Sequence, residues 1–294
     1  MFNSAILDVV IGLVFTFMGV SLAASAVTEA IGSAFKLRQT TLRQGIQALV
    51  NDKDFTGLAR DLYNHAILNP LASGKADTVR QLSQQPAYIE TRQFSIAFLD
   101  ILDAGTGGQS LAATIAAIPD AQLRAALTAL LAQADGDAAK FQAAVGAWFD
   151  AAMDRLSGWY KRDTQAIAFA AALAICVVLN ADAFHLAEAI WHRPALVSEL
   201  GVRPTVLPSP TDAIGLLDKA TLIGWVDWDV DGRRSSPFGL TWMVLGWLTV
   251  AAASLFGAPF WFDTLQRIVQ VRGTGDSARD AAGAKPARRR GDAR

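Results

Sequence analysis

Three long stretches of this chain carry no charged side chain: residues 9–28 after Asp8, residues 164–181 after Asp163, and residues 235–262 after Arg234. A helix needs about 20 mainly apolar residues, rising roughly 1.5 Å each, to cross the hydrocarbon of a bilayer. Within lipid the backbone must satisfy its own hydrogen bonds, which makes the helix the natural form for such runs. Outside them the charge density is ordinary, yet only 18% of the 294 residues are charged and 52% are hydrophobic, where soluble domains carry about 25% charge. The predicted fold class is therefore all-α: an integral membrane protein with three transmembrane helices and a cytoplasmic helical domain.

The first stretch has a small-residue site, Ala24-Ser25-Ala26, like that of a cleaved signal peptide. However, no Lys or Arg precedes the apolar run, and a signal peptide needs a basic start. A retained anchor is the better reading. Lys36, Arg38 and Arg43 follow the first stretch, Arg155, Lys161 and Arg162 precede the second, and Arg267, Arg272 and Arg288 to Arg290 follow the third. Positive charge collects on the cytoplasmic side. The expected order is a first transmembrane helix in 1–35 with the N-terminus outside, a cytoplasmic helical domain in 36–163 and a second transmembrane helix in 164–190. An extracytoplasmic loop in 191–237, a third transmembrane helix in 238–263 and a cytoplasmic tail in 264–294 complete it. The tail, poor in large apolar residues, is expected to be disordered from about residue 273. Arg233 and Arg234, on the outer side, run against this scheme.

Residues 36–163 are rich in Ala, Leu and Gln, with breaks at Pro70, Ser73-Gly74, Pro86, Gly105 to Gly108, Pro119 and Asp135-Gly136. Proline and paired glycines interrupt helices, so five or six helices are expected, one starting at Pro119-Asp120. Phe141, Val145, Trp148/Phe149, Met153, Leu156 and Trp159/Tyr160 recur at three- and four-residue spacing, one apolar helical stripe. With no strong breaker after it, the stripe predicts a single helix from about Asp137 to Ile190, roughly 80 Å long. A short helix is expected near 211–219 in the proline-rich outer loop.

Candidate sites are few. Asp182, His185, Glu188 and His192 share one helical face at offsets that suit a zinc-like ion; their plain reading is an interfacial polar patch. Asp227, Asp229, Asp231 and Gly232 match the start of a calcium loop, but the closing acid is replaced by Phe238 and Arg233-Arg234 would repel a cation. Ser21, Ser25, Glu29 and Gly32 form a small, polar stripe suited to helix packing or to lining a pore. No nucleophile–base set, no phosphate-binding glycine loop with a following Lys (Gly105-Thr106-Gly107-Gly108 lacks one) and no cofactor motif are found. The net charge of −1 carries no nucleic-acid signature. Cys176, the single cysteine, lies in an apolar run and excludes an intramolecular disulfide.

Three blocks occur together here: Ser21-Leu22-Ala23-Ala24-Ser25 through Glu29 with Leu37-Arg38 after it, Met153-Asp154-Arg155-Leu156-Ser157-Gly158-Trp159-Tyr160-Lys161-Arg162, and Gly257-Ala258-Pro259-Phe260-Trp261-Phe262-Asp263. Pro86-Ala87-Tyr88-Ile89 adds a fourth. With these blocks the chain, up to about residue 275, resembles a group of uncharacterised bacterial inner-membrane proteins with three hydrophobic segments. The resemblance implies a bacterial inner-membrane location and transfers no catalytic residue. The expected role is a membrane-anchored scaffold, whose expected partners are the lipid bilayer, further copies of the chain and a cytoplasmic protein. The alternatives are an oligomeric pore with the Ser21–Glu29 stripe in its lumen, and a metal-dependent membrane enzyme using Asp182 to His192.

Overall fold

A computed structural model describes residues 2–72, 74–104, 110–193, 208–219, 225 and 238–283. Among the described residues there is no strand; the chain is helical. It divides into two compact units, Met1–Ala30 with Thr164–Arg294, and Ile31–Asp163.

The first unit is built on α1 (Phe2–Ala34) and the second part of α7 (Ala138–Leu179). These are the two described helices that are each long and apolar enough to cross a membrane. Inside α1, the hydroxyls of Thr16, Ser21 and Thr28 donate to carbonyls one turn back, which satisfies them within an apolar helix. One part of α1, with Ile11, Val14, Phe15 and Met18, packs with Leu186, Ile190, Ala258 and Leu265. Another, with Val20 and Ala24, packs with Ala172, Cys176, Met243, Trp247 and Val250.

The second expected helix is not continuous to Ile190. It stops at Leu179, and α8 (Ala183–His192) begins anew. The interruption is written in Asn180-Ala181-Asp182. Asn180 takes a left-handed conformation (φ 48°), which asparagine tolerates better than most residues. The N–H of Ala181 reaches back to the Cys176 carbonyl at 2.9 Å. Asp182 then caps α8, accepting from the N–H groups of Phe184 and His185. The 42 residues of α7 correspond to roughly 63 Å rather than 80 Å.

The third apolar stretch also breaks. It forms α10 (Gly239–Ser254) and α11 (Ala258–Gly283), after a short α9 (Pro210–Lys219) where the outer helix was expected. The two are bent by 95° at the break, so the stretch is a broken span or a re-entrant pair rather than one straight rod. Gly257 sits at φ 85° and its N–H bonds to the Ser254 carbonyl, a glycine helix stop. Pro259 follows in the first turn of α11, where a missing N–H is harmless. Beyond Gly273, where disorder was expected, α11 continues to Gly283.

The second unit begins with the last turn of α1, from Ile31. Lys36, left-handed at φ 49°, separates α1 from α2 (Leu37–Leu49), so the first helix does not run straight on into Leu42 and Ile46. α3 (Leu58–Tyr63), α4 (Thr91–Ala104), α5 (Leu111–Ala116), α6 (Ala121–Gln133) and the first part of α7 complete the unit. A helix does start near Pro119-Asp120, but it begins at Ala121 with Pro119 outside its first turn; Asp120 caps it, accepting from the Leu123 N–H. The core is aromatic: Phe94 stacks on Phe149 with centroids 4.1 Å apart and on Phe98 at 5.6 Å. Phe141, Val145 and Phe149, the expected stripe on α7, are all buried there. The stripe ends before Trp159, which is 57% exposed.

The connection 64–90 is mostly irregular and is tied down by side chains. Asn64 exchanges hydrogen bonds with both the carbonyl and the N–H of Ala76. The Asn69 amide donates to the carbonyls of Tyr63 and Gln84. Ahead of α3, the Asp52 carboxylate accepts from the N–H groups of Thr56, Gly57 and Ala59. These bonds replace the helical ladder that the backbone lacks there.

Candidate functional site

The second unit carries an open groove of about 730 Å³. One wall comes from α2, with Arg38 and Thr41. Another is the segment 87–91, with Tyr88 and Thr91, and the third is α7, with Phe149, Asp150, Asp154, Ser157 and Tyr160. The local sequence explains the placement. Thr91 opens α4 and its hydroxyl donates to the Asp150 carboxylate. The close approach depends on Gly146, where an added Cβ would lie 3.1 Å from Thr91 Cγ2. Asp150 and Asp154 are four residues apart on one helix and so project side by side. Tyr88 is 77% exposed and stands at the rim.

The groove thus offers two carboxylates, one guanidinium, hydroxyl groups and three aromatic rings on helical walls. That set makes hydrogen bonds and buries flat apolar surface. It holds no thiol or histidine, and so no histidine base beside a nucleophile. A smaller recess of about 280 Å³ in the same unit is lined by Gly45, Asn51, Trp148, Arg155 and Trp159. Gly45 lies close against the Leu156 side chain, which would have to shift to admit a Cβ. Three separate stretches of the chain contribute to the groove, through Arg38, through Ala87 to Ile89, and through Met153 to Tyr160.

The first unit contains a second polar locus, a buried junction where α7 gives way to α8. The Trp247 indole donates to Asn180 Oδ1 at 3.1 Å. Asp182 is 2% exposed, and a Cβ on Gly246 would fall inside its carboxylate. Ser21 of α1 donates to the Ser254 carbonyl at 3.0 Å, at the end of α10. Glycine and serine therefore let α10 pack closely on its neighbours, as is usual for helices in lipid.

The residues singled out from the sequence scatter. Among the described residues no three His, Cys, Asp or Glu side chains gather as a metal site. Of the four candidate ligands, Asp182 is a buried helix cap, His185 is half-buried, and Glu188 and His192 are exposed. In the Ser21–Gly32 stripe, Ser21 is consumed in helix packing, whereas Ser25 and Glu29 are exposed. A methyl group added at Gly32 would meet nothing within 4 Å. The candidate calcium residues Asp227, Asp229, Asp231 and Gly232, and the Gly105–Gly108 run, lie outside the described residues. Phe238 stands at the start of α10.

Sequence reasoning missed the groove and the junction. Asp150 and Asp154, one turn apart beside an apolar stripe, were the available signal for the first. An Asn and an Asp flanking one residue between two apolar runs were the signal for the second. It also missed His65, whose Nε2 lies 2.9 Å from Asp100 Oδ2 and ties the end of α3 to α4. Compared with family models, with curated proteins and with solved structures, the chain has no significant match.

Proposed function

We propose that this protein is a scaffold of a bacterial inner membrane, in which the apolar helices anchor a cytoplasmic helical unit that binds another protein through its open groove. The observation that carries the reading is the pairing, in one chain, of spanning-length apolar helices with a second unit that has its own aromatic core and the open groove. The charge pattern supports an extracytoplasmic N-terminus and a cytoplasmic 31–163. A second face is available for self-association: on α1, Ser25, Ala26, Glu29 and Ala30 are exposed, and small residues favour close helix contacts in lipid.

Two measurements test the proposal. The protein should stay in the membrane fraction after alkaline carbonate and should run as a discrete oligomer in mild detergent. Release into the aqueous fraction would defeat the anchor, and a strictly monomeric particle would defeat the self-assembling scaffold. The exposed Ser25 and Glu29 also favour a second reading, an oligomeric pore lined by this face. In liposomes that reading requires a conductance that changes with Glu29→Ala.

A further inference from the structure

We infer that the third apolar segment does not cross the bilayer: α10 and α11 dip into it and return, so that the end of the segment emerges on the same face as the start of α1. The inference rests on the proposed membrane placement and concerns only the first unit.

Direct contacts give the path of the chain along α1. The Ser254 carbonyl, at the end of α10, accepts a hydrogen bond from Ser21. After the 95° bend, the ring of Trp261 lies 4.9 Å from that of Phe17. Advancing from 254 to 261 thus moves the chain from the level of Ser21 back to that of Phe17, toward the start of α1. The same helix continues through Leu265, Ile268 and Val269, which share a cluster with Leu7, Val9 and Ile11, near the start of α1.

The turn also lies too shallow for a full crossing. The uncharged part of α1 extends to Thr28, before Glu29. Ser21, the level of the turn, is seven residues short of Thr28, or about 10 Å at a helical rise. The staple at the turn is internal: the Trp261 indole donates to the Ala253 carbonyl at 2.8 Å, across the break. It adds a short second donor to a carbonyl that the Phe256 N–H reaches only at 3.3 Å, which strengthens the end of α10 where a break within lipid needs it. The sequence reading of one straight helix over 238–263 misses this because Gly257 and Pro259 sit inside a continuous apolar run, and hydropathy does not register the bend. The positive-inside count, which assumes that straight helix, places Arg267 and Arg272 with the cytoplasmic charges; the re-entrant path places them on the face of the α1 start instead.

Cysteine labelling in sealed membrane vesicles of one orientation decides the matter. Cys176 is fully buried and provides an unlabelled background for a membrane-impermeant maleimide. The variants Ser4→Cys and Ser277→Cys should be labelled from the same face, and Ser110→Cys from the other. Labelling of Ser277→Cys together with Ser110→Cys, opposite Ser4→Cys, would overturn the re-entrant path and restore a crossing. Extraction of the chain by carbonate would instead overturn the membrane placement itself, so the two failures are distinguishable. Should a cysteine variant fail to fold, tryptic cleavage at Arg288 to Arg290 of the unsubstituted protein serves. Cleavage from the face that exposes an N-terminal tag supports the re-entrant path, and cleavage from the opposite face overturns it.

Discussion

The two units solve the packing problem with opposite materials. In the unit spanning 31–163 the largest buried side chains are aromatic, with Phe55, Phe94, Phe98, Phe141 and Phe149 in one core. In the unit of α1, the second part of α7 and α8 to α11, one set of helix contacts is lined by small residues, among them Ala24, Ala172, Ala181, Ala183, Gly246, Ala251 and Ser254, beside a second cluster of larger side chains such as Ile11, Phe15, Met18 and Leu186. Water drives the first arrangement, since each large apolar side chain withdrawn from it contributes about 1.5–3 kcal/mol. Lipid gives no such drive, so close backbone approach and hydrogen bonds between helices must hold the second. The contrast teaches that a substitution of the same size should act differently in the two places: loss of volume should hurt the first, and gain of volume the second.

The largest effect should come from Phe94→Ala. Phe94 is fully buried between two stacked rings, and such truncations cost about 3–5 kcal/mol. Hydrogen exchange should show amides of 31–163 losing protection while those of α1 up to Ala30 keep theirs. Simultaneous loss in both units would break the comparison. Gly246→Ala should be next, destabilising by about 1–3 kcal/mol through overpacking against Asp182, read as a lower melting temperature in detergent. The double variant Asp182→Ala/Gly246→Ala should recover part of that loss. Additive losses would show that the two residues do not oppose each other.

Two smaller predictions sharpen the account of the aromatic unit. Asp120 lies at its surface, and its carboxyl is held below the usual carboxylate range by the Leu123 N–H and by the Asn51 amide. A depressed pKa stabilises the fold above the unfolded value of about 3.9, and the contribution fades as pH falls through the folded value. Asp120→Ala should therefore melt below the parent at neutral pH, with the gap closing in acid; a gap that persists at low pH would contradict the capping role. Tyr63 should give the smallest effect. Its hydroxyl is buried without a hydrogen-bond partner, and burial pushes its pKa upward. Tyr63→Phe should change stability by less than about 1 kcal/mol in either direction. It should also lessen the destabilisation seen above pH of about 10, where an unfolded tyrosine ionises but the buried one does not. Unchanged alkaline melting would remove Tyr63 from that role.

Much of the helical layout was legible because it depends on local signals. Asp120 before an apolar run, the 141–149 stripe and the helix over 210–219 follow from caps and periodicity within a few residues. The misses share a cause. Asn180 and Gly257 each end a helix by entering the left-handed region, and both ends lie within or beside apolar runs. Composition averages over such single residues. The groove was harder still: Arg38, Tyr88 and Asp154 come from distant parts of the chain, and only tertiary packing brings them together.

The contact between Gly246 and Asp182 has a consequence for biosynthesis. The chain emerges from the ribosome with α7 and α8 complete well before α10 exists. Until α10 arrives, the carboxylate at the head of α8 lacks the helix that finally encloses it, and an uncovered acid is poorly tolerated in hydrocarbon. A product truncated before residue 239 should thus leave the Asp182 carboxylate without the helix face that covers it in the full chain.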